Sequence, residues 1–275
     1  MAASPSRVAV VTGSNKGIGF AIVRGLCKQF SGTVILTARN ENLGKEAVDK
    51  LKEEGLNPVF HQLDITSQES INKLRDYLSS TYKGLDLLIN NAGIAYKGAS
   101  IAPFSEQAEV TARTNFTGTL NICDTLFPLL RPHARVVNVA SLAGLLKIIP
   151  SEAIKAKFTS PSLTQSGLVG LVEEFISDVK AGVHKEKGWS NSAYGMSKVA
   201  VIALTKVQAR QMEKDPRQDI LVNCCCPGYV DTDMSSHKGH LTIDQGAETP
   251  IYCALLPEGC GHSGEFFSQK KVVGW

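Results

Sequence analysis

Short apolar runs recur along the chain and alternate with stretches whose apolar residues repeat at the period of an α-helix. Val, Ile and Leu fill these runs almost continuously, which is typical of strands buried on both faces of a parallel sheet. The predicted strands are RVAVVTG (7–13), TVILTA (33–38), VFHQLD (59–64), DLLIN (86–90), ARVVNVAS (134–141), ILVNCCC (220–226) and GEFFS (264–268). This β-α-β-α rhythm predicts an α/β fold with a doubly wound, open parallel sheet and right-handed crossovers, in a single domain over residues 1–275.

One long insertion interrupts the rhythm. Residues 142–190 separate the fifth predicted strand from the next helical stretch, where a few residues would suffice. Within the insertion, apolar residues recur at helical spacing and predict an amphipathic helix. They are Leu168, Leu171, Val172, Phe175, Ile176 and Val179. Two interpretations remain open: a surface excursion, or a segment that covers a surface and walls a pocket.

A glycine-rich turn, TGSNKGIG (12–19), follows the first predicted strand and leads into a helix. Glycines let the backbone turn tightly and approach a pyrophosphate, whose charge is favoured at a helix N-terminus. The spacing is G-x-x-x-G-x-G, and its position between strand and helix predicts a Rossmann-type dinucleotide site. The residues assigned to it are Gly13, Asn15, Lys16, Gly17, Ile18 and Gly19.

The end of the second predicted strand indicates which dinucleotide is bound. A site for NAD usually has a carboxylate about 20 residues beyond the glycine turn, where it bonds the ribose 2′-hydroxyl. This strand ends instead at Arg39. Arg39 and Lys16 are cations suited to a 2′-phosphate, so NADPH is predicted over NADH. The alternative is that Arg39 is a solvated residue at the end of a strand.

The stretch SNSAYGMSKVA (190–200) places a tyrosine four residues before a lysine. In a helix, Tyr194 and Lys198 share one face. At about 4 Å and an effective dielectric of about 20, an ammonium stabilises a phenolate by up to roughly 4 kcal/mol, or about three pKa units. The pair therefore predicts a phenol whose pKa is lowered into the range of a general acid or base. The alternative is an ordinary surface pair.

Composition excludes several classes of protein. Hydrophobic content of 43% and charged content of 20% describe an ordinary globule, and a net charge of +3 is too small to indicate nucleic acid or a membrane surface as partner. Seven cysteines, three of them consecutive at 224–226, show neither a metal-ligand spacing nor a secreted disulfide framework. The apolar run after the six-residue N-terminal tail is too short for a signal peptide, and no stretch has the length of a membrane span. A reducing, cytoplasmic location is expected.

Taken in order, the motifs resemble the short-chain dehydrogenase/reductase family over nearly the whole chain. They are TGSNKGIG, QLDI with Asp64, NNAG (90–93), TNFTG with Asn115, Ser141 after VNVA, Tyr194-Gly-Met-Ser-Lys198, and Pro227-Gly228 with Thr232. The long insertion and the segment GAETPIYCALLP are similar to the monomeric cytosolic carbonyl reductases, a group that includes 20β-hydroxysteroid dehydrogenase-like enzymes. The resemblance implies reduction of ketones, quinones and aldehydes by NADPH, with keto-steroids or prostaglandins within range, and no metal. A nucleotide-binding redox sensor without turnover is the alternative.

The resemblance also implies a role for each site residue. Tyr194 is the proton donor to the carbonyl oxygen, while Lys198 lowers its pKa and holds the nicotinamide ribose. Ser141 bonds the carbonyl oxygen, and Asn115 organises a water relay toward Lys198. Further cofactor contacts are implied for Asp64 and Ile65 at the adenine, Asn91 near the adjoining ribose, and Val230 and Thr232 at the carboxamide. For Asp64, a simple helix cap is the alternative.

Several positions depart from the carbonyl reductases and affect the expected substrate range. Leu43 stands where an arginine is usual, Tyr229 where tryptophan is common, Asp231 where a basic residue is usual, and Ala140 where serine is frequent. By resemblance, Tyr96, Lys97, Gln107 and Tyr229 line a substrate mouth, which in some relatives accepts glutathione or its conjugates.

Two of the residues near this mouth have alternatives. Lys97 either meets a carboxylate there or is an exposed loop lysine. Cys226 either approaches the cleft or packs as a small buried hydrophobe. Because the 168–179 stripe is expected to cover the face that oligomeric relatives use as a subunit interface, a monomer is predicted.

Overall fold

A computed structural model describes residues 6–275, so residues 1–5 of the N-terminal tail lie outside the described part of the chain. Eight strands form one sheet in the order β3-β2-β1-β4-β5-β6-β7-β8. Their bounds are β1 Val8–Val11, β2 Thr33–Ala38, β3 Val59–Gln62, β4 Leu85–Asn90, β5 Leu130–Val139, β6 Leu221–Cys226, β7 Phe266–Ser268 and β8 Lys271–Val272. The first seven pair in parallel, and β8 runs antiparallel to β7.

Helices connect the parallel strands, as the alternating pattern predicts. They are α1 Gly17–Gln29, α2 Glu41–Glu53, α3 Gln68–Thr81, α4 Phe104–Ala112, α5 Thr119–Leu126, α6 Glu152–Thr159, α7 Gln165–Lys180, α8 Ala193–Met212 and α9 Ile243–Ala254. A π-helical segment, Arg113–Gly118, joins α4 to α5. In residues 6–275, no helix combines the length and the apolar character that crossing a bilayer requires.

Strand β1 shows why the apolar runs are nearly continuous. Ala9 and Val11 pack into a core with helices α1, α2 and α9, whereas Val8 and Val10 pack into a second core with α3 and α5. Both faces of the sheet are therefore buried, which confirms the prediction of a doubly wound sheet. Strand order reverses at β1, which pairs with β2 on one side and β4 on the other. Ligands of such sheets bind at this reversal, beyond the carboxyl ends of the strands.

The insertion contains two 3₁₀ turns followed by α6 and α7. The predicted apolar stripe lies on α7: five of its six residues are buried and Ile176 is partly buried. They share a core with residues of α4 and α8. Trp189 closes this core, and its Nε1 donates to Asp178 Oδ2 at 2.8 Å. The insertion thus covers an apolar face of the domain, which agrees with the first half of the second interpretation; that it walls a pocket stays a prediction.

The sequence does not predict β8, which forms a hairpin with β7. Gln269 and Lys270 connect the two strands and have φ angles of +50° and +62°. Two-residue hairpin turns favour positive φ at both central positions, and Asn-Gly or Gly-Gly is the usual signal. A Gln-Lys turn lacks that signal. Strand β5 also begins four residues before its predicted start, at Leu130 rather than Ala134.

Candidate active site

A cleft of about 450 Å³ lies at the carboxyl ends of β1, β2 and β4, where strand order reverses. Most of the residues that the sequence assigns to cofactor binding line it together. They are Gly13, Asn15, Lys16, Gly17, Ile18, Gly19, Arg39, Asp64, Ile65, Asn91 and Thr232. The position and lining of the cleft match a dinucleotide site.

The glycine turn forms one wall of this cleft. Gly13 and Gly17 have φ angles of +61° and +58°, which disfavour residues with a side chain. A Cβ atom on Gly13 would lie 2.8 Å from Ala92 Cα, so the turn packs directly against the NNAG segment. Helix α1 then begins at Gly17 with no acidic residue in its first turn and no side-chain cap from Lys16. An anion such as a pyrophosphate fits this helix end, because the first amides have no intrahelical acceptor.

Hydrogen bonds from distant segments hold the turn in place, and no local sequence pattern signals them. Thr12 Oγ1 accepts bonds from the backbone amides of Asn91 and Ala92, each at 3.0 Å. The Asn91 side chain donates to the carbonyls of Thr12 and Gly13 at 3.1 and 3.0 Å. On the other side, Ser14 Oγ accepts from the Thr37 amide at 2.9 Å. Strands β2 and β4 thus both anchor the loop that leaves β1.

The two cations at the edge of the cleft, Arg39 and Lys16, differ in whether a carboxylate pairs with them. Arg39 is exposed at the end of β2, and the next carboxylate along the chain, Glu41, pairs with Lys45 at 2.7 Å. Within residues 6–275, no carboxylate lies at ion-pair distance from the Arg39 guanidinium. Lys16 Nζ instead lies 2.5 Å from Asp233 Oδ2 across the cleft. Arg39 is therefore the cation at this edge that is open to a phosphate.

Tyr194 and Lys198 lie on one face of the buried helix α8, as predicted. The helix begins at Ala193, and the Ser192 hydroxyl caps it by accepting the Gly195 amide at 3.0 Å. Lys198 Nζ is 5.6 Å from the centroid of the Tyr194 ring and donates to the Val139 carbonyl at 2.7 Å. The alternative of a solvated surface pair is wrong, because Lys198 is only 6% exposed.

The prediction that the pKa of Tyr194 is lowered is wrong. Burial raises the pKa of Tyr194 to about 12, although interaction with the Ser141 side chain opposes the shift. Burial also lowers the pKa of Lys198 to about 8. The physical reason is desolvation, which disfavours the charged form of each group. Lys198 Nζ lies over the ring and donates to a backbone carbonyl, and the desolvation of Tyr194 outweighs the stabilisation that this ammonium gives to a phenolate. At neutral pH, Tyr194 consequently keeps its proton, as a general acid requires.

Ser141 ends the segment that follows β5 and starts a 3₁₀ turn, Leu142–Gly144. Its Oγ accepts the Ala143 amide at 3.1 Å. Because a hydroxyl has one donor and two acceptor sites, this bond leaves the hydrogen of Ser141 available for donation. The turn therefore orients the serine as a donor beside Tyr194.

Asn115 lies in the π-helical segment, which the sequence pattern does not reveal. Its Oδ1 accepts the Ile94 amide at 2.8 Å, and its Nδ2 donates to the Ile94 carbonyl and to Ser197 Oγ at 2.9 and 3.0 Å. A Cβ atom on Gly93 would lie 3.1 Å from Asn115 Oδ1 and 3.8 Å from Lys198 Nζ. Asn115 thus ties the cleft wall to α8 through its side chain. Its role in a water relay stays a prediction.

Asp64 and Val230, which are also assigned to the cofactor, differ in their position relative to the cleft. Asp64 lines the cleft, and its Oδ1 accepts bonds from the Thr66 amide and hydroxyl at 2.8 and 2.7 Å. Ser67 caps α3, so the alternative of Asp64 as the helix cap is wrong. Val230 lies outside the lining of the cleft: it is 3% exposed and forms an isolated bridge with Leu241. Its side chain packs against α9, where a Cβ atom on Gly246 would lie 2.5 Å from Val230 Cγ2.

The predicted substrate mouth is only partly assembled. Tyr96 and Lys97 line a depression of about 480 Å³, and Tyr96 Oη donates to Glu106 at 3.1 Å. Gln107 does not line this depression; its side-chain amide donates to the Ala102 carbonyl, just before α4, at 2.9 Å.

Cys226 and Tyr229 lie at the end of β6 and in the loop after it, outside the lining of this depression. Tyr229 is exposed and contacts His240 edge to face, with ring centroids 6.0 Å apart. Cys226 is buried beside Ala140, and its sulfur accepts the Gly228 amide at 3.4 Å. Cys226 is buried, as the interpretation of a packed hydrophobe predicts, and it also lies close enough to Tyr194 and Lys198 to influence the pKa of each, although burial has the larger effect on both.

A family model and full-length relatives match this chain. The family model described as short chain dehydrogenase matches residues 7–160 and 176–241. The chain belongs to the short-chain dehydrogenase family. The residues between the two matched segments, 161–175, lie in the insertion and contain most of α7.

Relatives in the short-chain dehydrogenase family match over the full length. Carbonyl reductase (NADPH) 1 of Rattus norvegicus is 52% identical over 271 residues, covering 98% of each chain. The Bos taurus protein of the same name is 50% identical over 275 residues, covering 99% of each chain. Among solved structures, salutaridine reductase from Papaver somniferum is 33% identical with a TM-score of 0.86, covering 96% of this chain and 99% of the other. The fold of the family is thus shared along the whole chain.

Proposed function

We propose that this short-chain dehydrogenase reduces carbonyl compounds to alcohols with NADPH. The observation that carries the proposal is the grouping of Ser141, Tyr194 and Lys198, in which Lys198 adjoins Gly93 in the wall of the dinucleotide cleft that Arg39 borders. The full-length relatives named carbonyl reductase (NADPH) support the same chemistry and the same cofactor. Ketones, quinones and aldehydes are the proposed substrate class, with keto-steroids or prostaglandins as larger members.

When bound, the reduced nicotinamide supplies a hydride to the carbonyl carbon. The residues of the chain manage the charge that then grows on the carbonyl oxygen. Ser141 and Tyr194 donate hydrogen bonds to that oxygen, and these bonds strengthen as its charge increases. Tyr194 gives up its proton, because an alkoxide is a far stronger base than a phenolate. Lys198, charged at neutral pH, stabilises the phenolate that remains, while Asn115 holds the cleft wall against α8.

Different residues of the cleft bind different parts of NADPH in this proposal. The glycine turn and the N-terminus of α1 hold the pyrophosphate, and Arg39 with Lys16 holds the 2′-phosphate. Asp64 and Ile65 lie against the adenine, and Thr232 with the backbone of Val230 bonds the carboxamide. Since Lys16 pairs with Asp233 and position 43 is an exposed leucine, Arg39 carries most of the preference for the phosphate.

Substrate contacts, partner and location are proposed on separate grounds. Tyr229 and the depression at Tyr96 and Lys97 form the outer substrate mouth, and the Lys97 ammonium there suits a carboxylate such as those of glutathione or its conjugates.

The α7 stripe covers an apolar face of α4 and α8, which supports one domain acting as a monomer. Seven free cysteines support a reducing, cytoplasmic location.

Oxidation of NADPH by a panel of carbonyl compounds tests the function. We expect turnover with menadione and with an aromatic aldehyde, measured as loss of NADPH absorbance in the presence and absence of each substrate. Because Ser141 and Tyr194 are positioned to donate to the carbonyl oxygen, we expect NADPH oxidation that requires the carbonyl compound and saturates with its concentration. NADPH binding without oxidation across quinones, ketones and aldehydes would contradict the proposal and indicate a redox sensor instead.

The Arg39→Asp variant tests the choice of cofactor. We expect kcat/KM for NADPH to fall about 100-fold, because a charge-assisted bond to the 2′-phosphate is replaced by repulsion. The value for NADH should stay constant or rise, since a carboxylate there can accept the ribose 2′-hydroxyl. Arg75→Asp, which makes the same charge change on exposed α3, is the control. An unchanged preference for NADPH would refute the assignment.

A further inference from the structure

Trp275 reaches the active site from the hairpin that the sequence does not predict. Strand β8 pairs with β7, and the Val273 amide continues the hairpin by donating to the Phe266 carbonyl at 2.8 Å. Two residues later, the Trp275 indole Nε1 donates to the Gly144 carbonyl at 2.8 Å. This bond joins positions 131 residues apart in the sequence. It ends on the 3₁₀ turn that begins at Ser141.

Packing holds the indole ring in one place. Trp275 is half-buried against the core cluster that contains Ala140 and Leu145, the residues that flank the turn on its two sides. Lys206 Nζ lies 6.0 Å from the ring centroid and donates to the Gly264 carbonyl at 3.1 Å. The direction of the indole N–H is therefore set by the hairpin and by α8, and it points into the turn.

The same turn is seated on the helix that carries Tyr194 and Lys198. A Cβ atom on Gly144 would lie 2.6 Å from the carbonyl carbon of Lys198. One on Gly195 would lie 3.0 Å from the Ala143 carbonyl oxygen. With so little space, a shift of the turn changes the position of Ser141 Oγ relative to the Tyr194 hydroxyl. The Ala143 amide, which bonds Ser141 Oγ, moves with it.

We propose that Trp275 is a positioning residue for Ser141. Its indole N–H fixes the Gly144 carbonyl, so the turn keeps the Ser141 hydroxyl directed at the carbonyl oxygen of the substrate. Trp275 acts through the turn and does not itself contact the substrate. This inference rests on the proposed function, in which Ser141 donates to that oxygen.

Trp275→Phe keeps an aromatic ring and removes the N–H. We expect kcat for carbonyl reduction to fall about 3- to 10-fold, the effect of one lost hydrogen bond expressed in the transition state. KM for the carbonyl and Kd for NADPH, measured by NADPH fluorescence, should change less than about 2-fold. Trp189→Phe is the matched control, because it removes the other indole N–H, which bonds Asp178 in the insertion. It should lower the melting temperature and leave kcat unchanged.

A double-mutant cycle with Ser141→Ala separates positioning from general destabilisation. If Trp275 acts through Ser141, Trp275→Phe should change kcat by less than about 1.5-fold once the serine hydroxyl is gone. A purely structural role would multiply the two effects. An equal loss in both backgrounds, or a Trp275→Phe enzyme with the parent kcat, would overturn the proposal.

A second substitution covers the case in which the phenylalanine variant does not fold. Replacement of Trp275 by benzothienylalanine substitutes sulfur for the indole N–H and keeps the shape of the ring, so the same cycle applies. The same experiments distinguish failure of the proposed function from failure of the inference about Trp275. A Ser141→Ala variant with the parent kcat would remove the role of Ser141 and the inference with it. A slow Ser141→Ala enzyme without coupling to Trp275 would remove the inference alone.

Discussion

Tyr194→Phe is expected to lower kcat for carbonyl reduction by about 1,000-fold, within the range that a positioned general acid contributes. The hydroxyl is both the proton source and one of the two donors to the growing negative charge, so its removal affects only the transition state. Kd for NADPH should change little, because the ring itself stays in place. Single-turnover kinetics and NADPH fluorescence measure the two quantities separately.

A matched control is Tyr252→Phe, which removes a phenol hydroxyl from the exposed side of α9 and should leave kcat unchanged. The pH profile adds a second readout. Since burial raises the pKa of Tyr194 to about 12, the acid stays protonated from pH 6 to 9, and a fall in kcat above pH 8 is expected from loss of the charge on Lys198, whose pKa is about 8. A Tyr194→Phe enzyme within about 10-fold of the parent kcat would contradict the assigned acid.

Lys198→Met is expected to lower kcat about 100- to 1,000-fold and, at the same time, to stabilise the fold. The loss of activity follows because the ammonium stabilises the phenolate that proton transfer leaves on Tyr194. The gain in stability follows because the lysine is 6% exposed and its charge is poorly solvated. Chemical denaturation and steady-state kinetics on the same preparation measure both effects.

The sign and range of the stability effect follow from the pKa. Burial lowers the pKa of Lys198 from 10.5 to about 8, so the charged lysine destabilises the native state below pH 8. This penalty is about 3 kcal/mol from the shift and is offset by about 1 kcal/mol for the bond to the Val139 carbonyl. The variant should therefore gain about 1 to 3 kcal/mol in free energy of unfolding at pH 7.

Between pH 8 and 10.5 the unfolded chain binds more protons at Lys198 than the native state does, so the parent becomes more stable and the gain shrinks. Lys73→Met, on the exposed side of α3, should change neither activity nor stability appreciably. A destabilised and inactive Lys198→Met enzyme at pH 7 would indicate that the lysine is a structural residue.

Strands β1 to β7, the α-helices between them and the main motifs of this protein follow from local patterns. A run such as Val8–Val11 can only be buried on both faces, and the spacing of Tyr194 and Lys198 places them together on any helix. The glycine turn likewise follows from its place between a strand and a helix. These features depend on residues close in sequence, whose relative positions are set by the periodicity of the helix or strand itself.

Other features depend on contacts between segments that are distant in the chain. The Asn91 and Thr12 bonds, the Ser197 bond of Asn115 and the Trp275 bond to Gly144 each join separate elements, and no local pattern signals them. The pKa of Tyr194 shows the same limit most clearly. The charge beside the phenol could be anticipated from four-residue spacing, but the direction of the shift depends on desolvation, which arises only when α8 is packed into the domain.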